Sequence, residues 1–197
     1  MATAKETCPT MMDVTNANSC MENFAGMGSV AYFGLKSDLA APLTRTENTY
    51  STPTFKSGKG LYKFEAADEK QKIVGESAGY RKGFNLTATV VSEVVDATTS
   101  KFARAVNNND VFVIIPDSDG NSQILYDKVR KVKADSGGIN SDTGDSASSD
   151  RQMKMDLKLN GVVYPHLFVE EPAEGGWDSL LASAVKPAAG GADGGKG

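Results

Sequence analysis

The chain has 197 residues, 40% of them hydrophobic, and a formal net charge of -4. That length holds one domain with arms, and that apolar content supports a folded core of modest thickness. Lys and Arg are spread along the chain without a basic stripe, which argues against sequence-specific nucleic-acid binding, and no apolar run is long enough to span a bilayer.

Residues 1–28 are polar and irregular, with Met11, Met12, Met21, Phe24 and Met27 as scattered apolar anchors. They read as an N-terminal arm that needs another surface to order it. Its first residues, Met-Ala-Thr-Ala-Lys-Glu-Thr-Cys-Pro-Thr, hold no apolar run of the secretory type, so the protein is expected to be made in a cytoplasm, to stay soluble, and to keep Cys8 and Cys20 as free thiols. Ser29–Leu35 is the first strand. Ser37–Ser57 is long, polar and Thr-rich, with Pro42 and Pro53. A stretch of that kind is a functional loop, a disordered segment or a β-hairpin. Gly60–Ala66 alternates as a strand, with Tyr62, Phe64 and Ala66 opposite Leu61, Lys63 and Glu65, and Gln71–Ser77 is a weaker one.

The segment from Lys82 to Pro116 carries the clearest pattern. Phe84, Leu86, Ala88 and Val90 share one face of a long strand, with Asn85, Thr87 and Thr89 on the other. A helix over Thr98–Asn107 follows, capped by Asp96 or Thr98. Val111–Ile115 is apolar on both faces and therefore central in a sheet. Asp119-Gly120 marks a hairpin turn into strands at Ser122–Tyr126 and Lys128–Ala134. Asp135–Ser149 reads as a Gly/Ser/Asp loop. Arg151–Leu159 alternates strictly, with Met153, Met155, Leu157 and Leu159 inward and Gln152, Lys154, Asp156 and Lys158 outward. Gly161 starts a turn into Val162–Val169. Residues 171–186 form a C-terminal arm with a short helix from Asp178, and 187–197 a disordered Gly/Ala-rich tail. The expected fold is mainly β: a β-sandwich or partial barrel over 29–170, with one flanking α-helix, a long inter-strand loop and extended terminal arms.

Chemistry is sparse. His166 is the single histidine, which removes most zinc and triad schemes. Asp117-x-Asp119-Gly120-Asn121 places its glycine too early for a calcium loop. The acidic residues between Asp135 and Asp150 are typical of a solvated loop. Glu170 and Glu171 are adjacent on a strand and point to opposite faces, so they cannot work as a pair. No nucleotide-binding glycine pattern occurs, and Asn85-Leu86-Thr87 matches a glycosylation acceptor only by coincidence of strand composition. No enzyme activity, cofactor or metal is expected. What remains is a surplus of segments that do not bury themselves, which points to self-association.

From about Ser29 to Val169 this order of elements resembles the tail tube proteins of tailed bacteriophages. The segments Gly58–Phe64 (Gly-Lys-Gly-Leu-Tyr-Lys-Phe) and Glu170–Leu181 (Glu-Glu-Pro-Ala-Glu-Gly-Gly-Trp-Asp-Ser-Leu-Leu) also look like stretches of phage proteins from gut bacteria. The resemblance implies a structural virion protein of the phage tail. Hexameric rings would stack into a hollow tube through which DNA passes without sticking. Its partners would be copies of itself, other tail proteins and transiting DNA, and no membrane. Ser37–Ser57 would be the inter-ring loop, with Ser37, Asp38, Arg45, Glu47, Tyr50 and Phe55 as contact candidates, and deleting it would leave a folded subunit that no longer stacks. Phe84–Val95 and Arg151–Leu159 would wall the lumen with Asn85, Thr87, Thr89, Gln152, Lys154, Asp156 and Lys158, while the helix lies outside that wall. Met11, Met12, Phe24, Trp177, Leu180 and Leu181 would be arm contacts. Alternatives are the inner tube of a contractile injection system, and a capsid decoration or tail-completion protein. A ligand-binding barrel lined by Tyr32, Phe33, Tyr62, Phe64 and Phe84, or a hydrolase built on His166, belongs to a different class.

Overall fold

The computed structural model describes residues 26–146, 149 and 151–184. Met11, Met12, Phe24, Cys8, Cys20 and the 187–197 tail lie outside them. Eleven strands and one helix follow in order: β1 (Val30–Leu35), β2 (Arg45–Thr46), β3 (Thr49–Tyr50), β4 (Tyr62–Glu65), β5 (Lys72–Ser77), β6 (Phe84–Ser92), α1 (Ala97–Asn108), β7 (Val111–Pro116), β8 (Ser122–Leu125), β9 (Lys133–Asp142), β10 (Gln152–Val162) and β11 (Phe168–Val169). They form a seven-stranded sheet, β2-β3-β11-β8-β7-β1-β4, and a four-stranded sheet, β5-β6-β10-β9. The fold is mainly β with a single α-helix, as the sequence implies.

The four-stranded sheet follows directly from alternation. Leu86, Ala88 and Val90 of β6 and Met155, Leu157 and Leu159 of β10 are fully buried. They join residues of the larger sheet in one apolar cluster. The helix forms where its cap allows. Asp96 Oδ1 accepts the Thr99 amide at 2.7 Å, while Thr99 Oγ1 accepts the Asp96 amide at 2.9 Å, a reciprocal capping box. It runs one residue beyond the expected span at each end. Its apolar stripe seats Phe102 edge-on against Phe33, with ring centroids 5.0 Å apart.

Both faces of the larger sheet are covered. Residues opposite one another on neighbouring strands share a face, so Phe33, Val113 and Leu125 lie on one side and Tyr32, Ile114 and Ile124 on the other. The Phe33 side meets α1 and the inward residues of β6 and β10. The Tyr32 side is covered by the segment after β1 and by the C-terminal segment. Phe55 stacks on Phe112 with centroids 6.4 Å apart, and Trp177 lies 6.3 Å from Tyr32. Gly34 permits this cover, because a Cβ there would sit 2.2 Å from the Phe112 ring. Gly75 plays the same part between β5 and the 163–167 crossing, where a Cβ would meet the Pro165 carbonyl oxygen at 1.9 Å.

Several expectations are corrected. Ser37–Ser57 is not a free excursion: Leu39, Leu43 and Tyr50 are buried, β2 and β3 form a hairpin, and β3 runs parallel to β11. Polar composition hid a cover whose large apolar residues, Leu39, Leu43, Tyr50 and Phe55, are buried or half-buried. Lys128–Ala134 is a loop until Lys133, held by Asp127, whose Oδ1 accepts the amides of Val129 and Arg130. Lys133–Asp142, in the stretch expected to be a loop, is a ten-residue edge strand. It carries a bulge opposite Asp156 with Gly137 at φ 78°, and an edge strand needs little apolar content. β10 continues through Gly161 by a bulge to Val162 instead of turning there. Tyr62 shares the Phe64 face as expected, opposite Phe33, but at the sheet edge it stays exposed.

Candidate assembly surface

The outer face of the four-stranded sheet collects the seven residues proposed for a lumen wall. In register, Lys158 lies opposite Thr87, Asp156 opposite Thr89, and Asn160 opposite Asn85. Alternation from these pairs puts Gln152 and Lys154 on the same side. β5 adds Lys72, Val74 and Glu76, which oppose Thr89, Thr87 and Asn85. β9 adds Lys133 and Asp142, opposite Lys158 and Gln152.

The two β10 lysines on this face are paired locally, while Lys72 and Lys133 stand exposed at its margins. Lys154 Nζ lies 2.9 Å from Asp156, and Lys158 Nζ lies 2.8 Å from Asp135 in the β9 bulge. Burial alone would raise the Asp156 carboxyl. The Thr89 hydroxyl, donating at 2.7 Å, and the Lys154 ammonium outweigh it and hold that carboxyl below its usual range. A depressed carboxyl stabilises the fold above the ordinary carboxylate range, and that contribution vanishes as pH falls through the depressed value. We therefore expect the urea midpoint of the wild type to drop between about pH 5 and about pH 2 by more than that of Asp156→Asn. Equal slopes would refute the assigned pairing.

The remaining candidates scatter. Of the six loop residues, Asp38 and Tyr50 are buried, Arg45 and Phe55 are half-buried, and Ser37 and Glu47 are exposed. Arg45 lies over the rings of Tyr50 and Tyr164, at 6.0 and 5.5 Å. Trp177 is 3% exposed, and its indole Nε1 donates to Ser122 Oγ at 2.9 Å, so it is a core residue and not an arm contact. Leu180 and Leu181 pack half-buried against the same core, with the Leu180 carbonyl accepting the Leu61 amide at 2.7 Å. His166 Nδ1 is hydrogen-bonded to Gln123 Oε1 at 3.0 Å, tying the 163–167 crossing to β8.

The aromatics of the ligand-barrel alternative are packing residues. Phe33, Phe64 and Phe102 contact one another with centroids 5.0–6.0 Å apart. The apolar depression beside them, lined by Phe33, Leu35, Tyr62, Phe102 and Val106, measures about 260 Å³, below the usual size of a ligand pocket. Among the described residues, no group of three or more His, Cys, Asp or Glu is placed to hold a metal.

What sequence reasoning missed is the pair of edges. β5 and β9 flank the four-stranded sheet with their outer sides unpaired in the sheet order, and β9 was hidden by its composition. No family model, curated protein or solved structure matches the chain.

Proposed function

We propose that the protein is a self-assembling structural subunit of the tail tube type. Copies join through the edges of the four-stranded sheet into rings, and the rings stack around a channel that conducts DNA. One observation carries this reading: a polar sheet face with ion-paired central lysines, bounded by two edge strands of opposite direction. The four strands alternate in direction, so β5 and β9 run antiparallel to each other. Copies related by rotation about a ring axis then bring β9 of one beside β5 of the next in antiparallel sense. The ladder continues without a break and no free edge is left.

The face suits a channel that must not retain DNA. Phosphate affinity comes from unpaired Lys and Arg, and here Lys154 and Lys158 have carboxylate partners within 3 Å. In this reading the subunit belongs to a virion tail and works with copies of itself and other tail proteins, without an enzymatic step.

A cross-linking experiment tests the edge pairing. In a Cys8→Ser/Cys20→Ser background, Val74→Cys places a thiol on β5 and Asn140→Cys places one on β9. A short bis-maleimide should join the two variants to each other when mixed, and neither variant to itself. Self-linked Val74→Cys dimers, or no cross-linking at concentrations where particles form, would overturn the reading.

A further inference from the structure

The loops at the two ends of the sheets carry opposite charge. One end gathers the β5–β6 turn, the residues between β8 and β9, and the start of β7. Contacts tie these together: Val111 bridges to Val132, the Lys36 amide donates to the Asp110 carbonyl, Lys131 pairs with Asp110 at 2.8 Å, and Arg130 lies beside Gly161 of β10. Arg81, Lys82, Lys128, Arg130, Lys131 and Lys133 are all exposed there, against Asp110, Asp127 and Asp135. Residues spread along the sequence without a stripe become a basic patch once folded.

The other end gathers the β4–β5 connection, the β7–β8 turn and the residues after β6. Met27 bridges to Asp117, Gln71 Nε2 donates to the Gly28 and Ala67 carbonyls, the Ala67 amide donates to the Val91 carbonyl, and Lys70 pairs with Glu93 at 2.9 Å. Glu65, Asp68, Glu69, Glu93, Asp96 and Asp119 are exposed there with Asp117 half-buried beside them, continued by Asp142 and Asp145, against Lys70, Lys72 and Arg151.

Exposed apolar side chains sit within both ends. Tyr80 is 84% and Val129 85% exposed at the basic end, and Val94 is 55% exposed at the acidic end. Arg81 lies over the Tyr80 ring at 5.0 Å, which fixes an aromatic and a cation together on the turn. Large apolar groups left outside in this way mark contact surfaces.

We propose that these two ends are a complementary pair, and that the partner of each is the opposite end of another copy of this chain, docked head to tail. Such a contact is heterologous and propagates instead of closing. Opposed charge fixes polarity as well as attraction, since like ends repel. The inference builds on the ring reading above, supplying the forces between rings where that reading supplies those within them.

Two oppositely charged variants and a salt series test it. Arg81→Glu/Lys82→Glu/Lys128→Glu makes both ends acidic. Asp68→Lys/Glu69→Lys/Glu93→Lys/Asp119→Lys makes both ends basic. All seven positions are in exposed loops, and thermal melts check that each variant folds. By sedimentation and negative-stain microscopy, each alone should lose long assemblies about tenfold, and an equimolar mixture should recover them. The unmodified protein needs no substitution to be informative: its assemblies should shorten as salt rises from about 0.05 M to about 0.5 M, as the screening length falls. Assembly of either folded variant at wild-type length, a mixture that fails to recover, or salt-independent length would overturn the proposal. So would duplex DNA occupying the basic end in place of a second copy. Rings whose β5–β9 cross-links form but whose stacking ignores charge would sink this inference alone. Charge-dependent chains without those cross-links would sink the ring reading alone.

Discussion

Excision of residues 38–56 should unfold the subunit, not merely silence its stacking. The ends of the excised piece lie close, since the Lys56 amide donates to the Asp38 carbonyl at 2.9 Å, so rejoining the chain is not the obstacle. The loss is packing. Leu39, Leu43 and Tyr50 leave the core, Phe55 leaves its stack on Phe112, and β11 loses its parallel partner β3. At about 1.5–3 kcal/mol for each large apolar side chain, the deficit is comparable to the roughly 5–15 kcal/mol that holds a typical domain together. Phe112 and Ile114, now fully buried, would face water. Circular dichroism and urea denaturation decide it. A cooperative transition near the wild-type midpoint would show that the cover is dispensable and would restore the expectation of a detachable loop.

Trp177→Ala should cost about 3–5 kcal/mol, the range for deleting a large buried aromatic. The indole is packed on Tyr32 and hydrogen-bonded to a buried serine. Its neighbour Asp178 accepts the Tyr32 hydroxyl at 2.9 Å, so the substitution also loosens a contact that holds the segment down. Trp177→Phe keeps most of the ring and should lose about 1–3 kcal/mol, mainly from leaving Ser122 without its donor. Urea midpoints of the two variants check the order. A Trp177→Ala midpoint within error of wild type, paired with lost assembly, would return Trp177 to the role of an intersubunit anchor.

Both predictions concern segments that the sequence presents as surplus, and the reason is instructive. Alternation is legible when one face is buried and the other wet, and so the faces of β6 and β10 were readable, while their C-terminal ends at Ser92 and Val162 lie three residues from those expected. The helix was readable with Asp96 or Thr98 as its cap, and the structure uses Asp96 with Thr99. β7 was readable as central because every residue from Val111 to Ile115 is apolar. That same observation implies that both faces of the larger sheet need cover, and the cover is what composition conceals. Leu39, Leu43, Tyr50, Phe55 and Trp177 are separated by polar residues that face solvent, with no period to connect them. β9 was hidden for the opposite reason: an edge strand with one neighbour is specified by its register and its glycine bulge, not by apolar content. The outer face was legible because it belongs to the two readable strands. The charge separation between the ends was not, because each end is assembled from loops far apart in sequence.

The Tyr32–Asp178 hydrogen bond spans 146 residues, and the Leu61–Leu181 bridge closes a circuit nearly as long. Contacts of such reach are slow to find. During synthesis, which delivers the N-terminal half first, the part of the Tyr32 side that Trp177 covers stays open until the last part of the described chain emerges. A nascent polypeptide is therefore an incomplete building block, and maturity arrives only when its tail end locks down. In the assembly proposed above, timing of this kind would separate the making of a monomer from its recruitment, so that growth draws on finished copies.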